Sequence, residues 1–111
     1  MENKYKAIGL DYDLIHDKYP NINEYEEIVN TYLSDPFFND LKGYIDNEDY
    51  ALVKDAAKGL FLLAQELYIY PLYLALVEIY EDVEDETTVE LPKHYKEMME
   101  VYKKIKGAFL C

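Results

Sequence analysis

In a chain with two histidines, one cysteine and no tryptophan, the residues able to do chemistry at a useful spacing collect in one stretch, Val53-Lys54-Asp55-Ala56-Ala57-Lys58-Gly59-Leu60. On a helix Asp55 stands three residues before Lys58 and Lys54 four before it, so the charged heads share a face and Asp55 is placed to pair with Lys58. Gly59 stands inside a helical pattern, where glycine costs about 1 kcal/mol against alanine. Two reasons suit it: close packing between helices, or close approach of something outside the chain. The chemistry open to this cluster is electrostatic recognition, a small flat area with Lys54, Asp55 and Lys58 beside Gly59, which the edge of another protein can reach.

No other residues assemble a recognisable site. His16 lies between Ile15 and Asp17, and His94 lies in the first turn of the last expected helix. Neither has a cysteine, serine or carboxylate at a spacing that makes a known site, so both read as surface histidines. The sequence holds no phosphate-cradling glycine loop, no His-Glu-x-x-His pair and no Ser-His-Asp arrangement. It also lacks the Glu-x-x-His pairs of di-iron bundles. The acidic run from Glu81 to Glu86 lacks the turn glycine and alternating ligands of a calcium loop, so it reads as solvated. No metal, cofactor or enzymatic activity is expected.

At 111 residues the chain is expected to form one domain, 1–111, with a core needing no covalent staple. Half the residues are apolar and 31% are charged, a balance that suits a globular protein rather than a disordered one. The formal net charge of −12 sets the chain against nucleic-acid backbones and, with no polybasic segment, against anionic membranes. Cys111 is the single cysteine, which rules out an intramolecular disulfide. Residues Met1 to Lys6 lead into no apolar stretch, so no secretory signal is expected and a cytoplasmic location suits the chain. The apolar stretch from Gly59 to Tyr80 is interrupted by Gln65, Glu66 and Pro71, and reads as two helices rather than a membrane span. The 13 tyrosines read first as compositional bias and second as a binding surface.

The elements that must position the cluster are all helical. A short helix is expected over 8–19, with Leu10, Leu14 and Ile15 as its apolar side, ended by Pro20. Asn21 or Asn23 can cap the next helix, over about 22–45, whose stripe runs from Tyr25 through Val29 and Leu33 to Leu41 and Ile45. Pro36 should kink it or split it near Ser34-Asp35. The polar turn Asp46-Asn47-Glu48-Asp49 opens a helix over 48–69, which buries Val53, Ala57, Leu60 and Ala64 and turns Lys54, Asp55, Lys58 and Gln65 outward. Pro71 starts a helix over 71–84, apolar on most sides and so expected to be the most buried. Residues 84–88 form a solvated loop. Pro92 begins the last helix, 92–109, with a stripe at Tyr95, Met98, Tyr102, Ile105 and Phe109. Short connections imply antiparallel neighbours, hence an all-α, up-and-down four-helix bundle with a short additional N-terminal helix.

The segment from Val53 to Gly59 resembles the signature of the histidine phosphotransfer domains of bacterial phosphorelays, a His-x-Leu-Lys-Gly run on the third helix of a four-helix bundle. The resemblance covers nearly the whole chain. Gly9-Leu10-Asp11 is similar to the family's lead-in, Pro36 to the proline within its second helix, and Asp46 to Asp49 to the acidic turn before its motif helix. In that family the histidine carries the phosphoryl group, the lysine helps to neutralise it, and the glycine leaves room for the partner. Lys58 and Gly59 match the lysine and glycine, Ala57 stands at the leucine, and Asp55 stands where the histidine should be. No second carboxylate flanks Asp55 at helical spacing. The resemblance therefore implies a degenerate member that binds a response-regulator receiver domain or a histidine kinase through Lys54, Asp55, Lys58 and Gly59 without transferring phosphate. Two other readings stand beside it: an active phosphocarrier using an unconventional residue, and an acidic helical interaction protein unrelated to phosphorelays. The sequence does not fix the oligomeric state.

Overall fold

The computed structural model describes residues 2–109; Met1 and Cys111, with what the sequence implies about them, lie outside it. Among the described residues the secondary structure is entirely helical: α1 (Glu2–Ala7), α2 (Tyr12–Lys18), α3 (Ile22–Leu33), α4 (Phe37–Asp46), α5 (Tyr50–Glu66), α6 (Tyr70–Glu84), a 3₁₀ turn (Thr88–Glu90) and α7 (Leu91–Phe109). No helix among them is long and apolar enough to cross a membrane.

Several boundaries differ from the sequence expectation for local reasons. The short helix expected over 8–19 is confined to α2, and α1 precedes it over residues for which no helix was expected; Gly9, with a left-handed φ of +77°, turns the chain between the two. A Cβ at Gly9 would also stand 3.2 Å from Pro71 at the start of α6, so both backbone and space call for glycine there. The segment over 22–45 splits into α3 and α4, as Pro36 allows: Asp35 accepts a hydrogen bond from the Phe37 amide, 2.9 Å, and so opens the second piece. Of the two candidate caps, Asn21 takes the role, accepting from the Glu24 amide at 3.2 Å. Asp11 does the same for α2 through the Leu14 amide. The helix expected to be most buried, α6, instead buries one side with Leu72, Leu76 and Ile79 and leaves Leu74 63% exposed. Glu84 belongs to α6 and Thr88 to the 3₁₀ turn, so the solvated loop shrinks to residues 85–87.

Three helix ends turn without glycine. Glu48, Tyr68 and Glu86 hold φ values of 56°, 59° and 59°, just past α4, α5 and α6. Each closes the same pair of bonds. After α4 the Asp49 amide donates to the Tyr44 carbonyl and the Glu48 amide to Ile45. After α5 the donors are Ile69 and Tyr68, and after α6 they are Thr87 and Glu86. These are Schellman turns, which satisfy the last carbonyls of each helix. Asp49 and Ile69 then serve at once as N-caps of α5 and α6.

Packing follows the apolar stripes. α5 lies against α4 and α6, and α7 lies against α6, α3 and α4. The core between them holds Val29, Leu33, Leu41, Val53, Leu60, Leu76, Met98 and Ile105, all buried. Tyrosine hydroxyls tie the layers together. Tyr25 and Tyr32 of α3 donate to the carbonyls of Leu67 and Leu60, at 2.7 and 2.6 Å. Tyr95 and Tyr102 of α7 donate to Phe38 and Leu33, on either side of the Pro36 break. Burial, and for Tyr32 also the charge of Asp35, pushes the phenols of Tyr25 and Tyr32 well above their ordinary range, so they remain donors. Both readings of the tyrosine excess therefore need correction for these four residues, which brace the interior.

Two stability changes follow. Glu48→Gly removes the left-handed strain at an exposed position and is expected to raise stability by about 0.5–1 kcal/mol in urea denaturation. Tyr32→Phe removes one buried hydroxyl bond and is expected to cost about 1 kcal/mol by the same measurement.

Candidate functional site

α5 forms because Tyr50, Val53, Ala57, Leu60 and Ala64 recur at three and four residues and bury one side. That leaves Asp55, Lys58 and Gly59 exposed, while Lys54 is half-buried. Nothing lies within 4 Å of a Cβ built on Gly59, so helix packing inside the chain does not account for this glycine. Its neighbours one turn and two turns away along the same face are Asp55, Leu62, Leu63 and Leu52. The three leucines are 49%, 48% and 42% exposed. Gly59 thus marks the low point of an exposed apolar strip that the sequence reading did not single out, because each leucine taken alone suits either side of a helix.

The charged residues part company. The expected Asp55–Lys58 pair does not form. Lys54 leans onto α6 instead, its Nζ 2.5 Å from Glu84 Oε1 and 5.7 Å from the centre of the Tyr80 ring. Its bond with Glu84 raises the Lys54 pKa. The same bond, then the Tyr80 hydroxyl and the field of Lys54 and Lys58, lowers that of Glu84. Lys54 therefore ties α5 to α6, and the outward cluster is Asp55, Lys58 and Gly59. No set of three or more histidine, cysteine or acidic residues among the described residues is placed to hold a metal ion, around Asp55 or elsewhere.

His94 departs furthest from its expected role. Only 14% of its side chain is exposed, and each ring nitrogen meets a carboxylate: Nδ1 lies 2.5 Å from Asp82 Oδ2, and Nε2 lies 2.5 Å from Glu78 Oε1. Asp82 is itself buried, with Thr87 Oγ1 donating to its other oxygen at 3.0 Å. Asp82 and Glu78 are four residues apart on α6, and that spacing is the only signal the sequence held. His16, by contrast, is exposed and stacks on Tyr12. A groove of about 630 Å³ between α4 and α7, floored by Ile45, Tyr95 and Met99, contains none of the α5 residues.

No protein-family model, no curated protein and no solved structure matches the chain.

The open space at Gly59 gives a direct test. Gly59→Ala is expected to fold normally and to gain about 0.5–1 kcal/mol in chemical denaturation, the helix-propensity difference with no packing penalty.

Proposed function

We propose that the chain is a histidine phosphotransfer-like four-helix bundle that binds a response-regulator receiver domain, or a histidine kinase, and does so without carrying phosphate. Taking α3 and α4 as one helix broken at Pro36, packing runs in a ring from that helix to α5, α6 and α7 and back. This order supports the bundle, with α1 and α2 as the additional N-terminal element. The observation that carries the function is the outer face of α5, where Gly59 has open space above it amid exposed Leu52, Leu62 and Leu63. An exposed apolar strip with a small residue at its centre suits close approach by another protein's surface. Lys58 supplies a positive charge on that face in a chain of net charge −12, complementary to the acidic pocket of a receiver domain.

Asp55 occupies the position of the phosphoryl-accepting histidine. Among the described residues no group of three or more acidic, histidine or cysteine side chains gathers around it to hold the divalent cation that aspartyl phosphorylation uses. The protein is thus a competitor or modulator in a phosphorelay, with Lys58 and Gly59 as its contact residues and Lys54 as the brace behind them.

The test is binding to a panel of receiver domains and kinases from the same genome, by surface plasmon resonance. At least one is expected to bind, and Gly59→Gln, which fills the open space, is expected to weaken it about tenfold or more while the helical circular dichroism is kept. A labelled phosphoreceiver is expected to leave the chain unlabelled. Failure of every receiver and kinase to bind refutes the phosphorelay reading. Transfer of label to the chain refutes the non-carrier part of it.

A further inference from the structure

We propose that His94 is a proton-operated clamp: protonated, it bridges Glu78 and Asp82 and fastens the start of α7 to α6, and on losing a proton it releases Glu78. The geometry favours the charged ring. An ionised carboxylate only accepts hydrogen bonds, and one lies 2.5 Å from each ring nitrogen, so an imidazolium, with its two N–H groups, satisfies both contacts. A neutral imidazole has one N–H and cannot serve both. Each carboxylate meets a different ring nitrogen, an arrangement that suits a proton on each.

Burial decides which contact is lost first. Asp82 has 7% of its side chain exposed and is held by Thr87, whereas Glu78 is 50% exposed. A buried carboxylate stripped of its donor is costly, but a half-exposed one can turn into water. The neutral ring therefore keeps its Nδ1–H on Asp82 and presents a lone pair to Glu78, which swings away. What loosens is the tie from Glu78 of α6 to the first turn of α7, beside the turn that Asp82 keeps in place through the Thr87 side chain and amide.

The ionisable groups acting on the ring are Asp82 and Glu78 from α6 and Glu97 from α7; the intervening turn contributes the uncharged Thr87 hydroxyl. Burial by itself disfavours the imidazolium, but the bond to Asp82 and the three negative charges outweigh it and raise the pKa. Because the folded value lies above the unfolded one, of about 6.5, the clamp contributes stability fully below pH ~6.5 and loses it as pH rises through the folded value.

The experiment is an NMR titration of the His94 ring, assigned by its loss in His94→Gln, together with amide exchange over residues 85–95. The ring is expected to titrate above pH ~6.5. Exchange in that segment, corrected for its intrinsic pH dependence, is expected to quicken across the same midpoint and to lose that step in His94→Gln. Glu78→Gln, at a half-exposed position, is expected to lower the midpoint by roughly one pH unit with the helical content unchanged. A midpoint at or below 6.5, or one that Glu78→Gln leaves unmoved, overturns the proposal. So does exchange that shows no step in the unaltered protein, a measurement that stands even if His94→Gln does not fold.

Discussion

The arrangement of the helices depends on phenol hydroxyls that reach across the core to backbone carbonyls. Tyr25 and Tyr32 are seven residues apart on α3 and meet, in reverse order, Leu67 at the C-cap of α5 and Leu60 seven residues earlier within it. Two turns of one helix are thereby registered against two turns of an antiparallel neighbour. Tyr95 and Tyr102, again seven apart, straddle the discontinuity at Pro36 by taking Phe38 on one side and Leu33 on the other. A leucine in any of these four places would fill volume but leave the sliding position of the helices open. The hydroxyl adds a direction, and a buried donor has few ways to be satisfied.

With the helices braced in this way, the two faces of α5 differ. One side of the helix meets α4 and α6 through Val53, Ala57, Leu60 and Ala64. The other carries Leu52, Leu62 and Leu63, each nearly half exposed. The division of labour between Lys54 and Lys58 belongs to the same logic. Residues four apart lie on one helix face, yet a small difference in angle sends the first to Glu84 on α6 and leaves the second in solvent.

Periodicity made most of the helices readable, since apolar residues at three and four spacing define α3 to α7 whatever the partners are. Pro36 and Pro71 were readable because a ring that lacks an N–H acts locally. The turns at Glu48, Tyr68 and Glu86 were not, because left-handed caps are recognised by glycine and these use none. Gly59 could be flagged but not explained, since the space above it depends on where other helices go. His94 was misjudged for the same reason: its partners lie on α6, 12 and 16 residues away, and are carboxylates in a chain that has 23 acidic residues. Abundance hid the two that matter.

The doubled role of Asp49 and Ile69, each closing one helix and opening the next, leaves no slack between α4, α5 and α6. Consecutive helices are geared to each other like parts on one shaft. One residue added within 47–49 or 67–69 would turn the following helix by about 100° about its axis. For α5 that rotation would carry Gly59 and its leucines off the surface and bring charge toward the core. The direction in which the strip faces is thus set by the tight turn that precedes α5, so length change there is a more severe lesion than most substitutions within the strip itself.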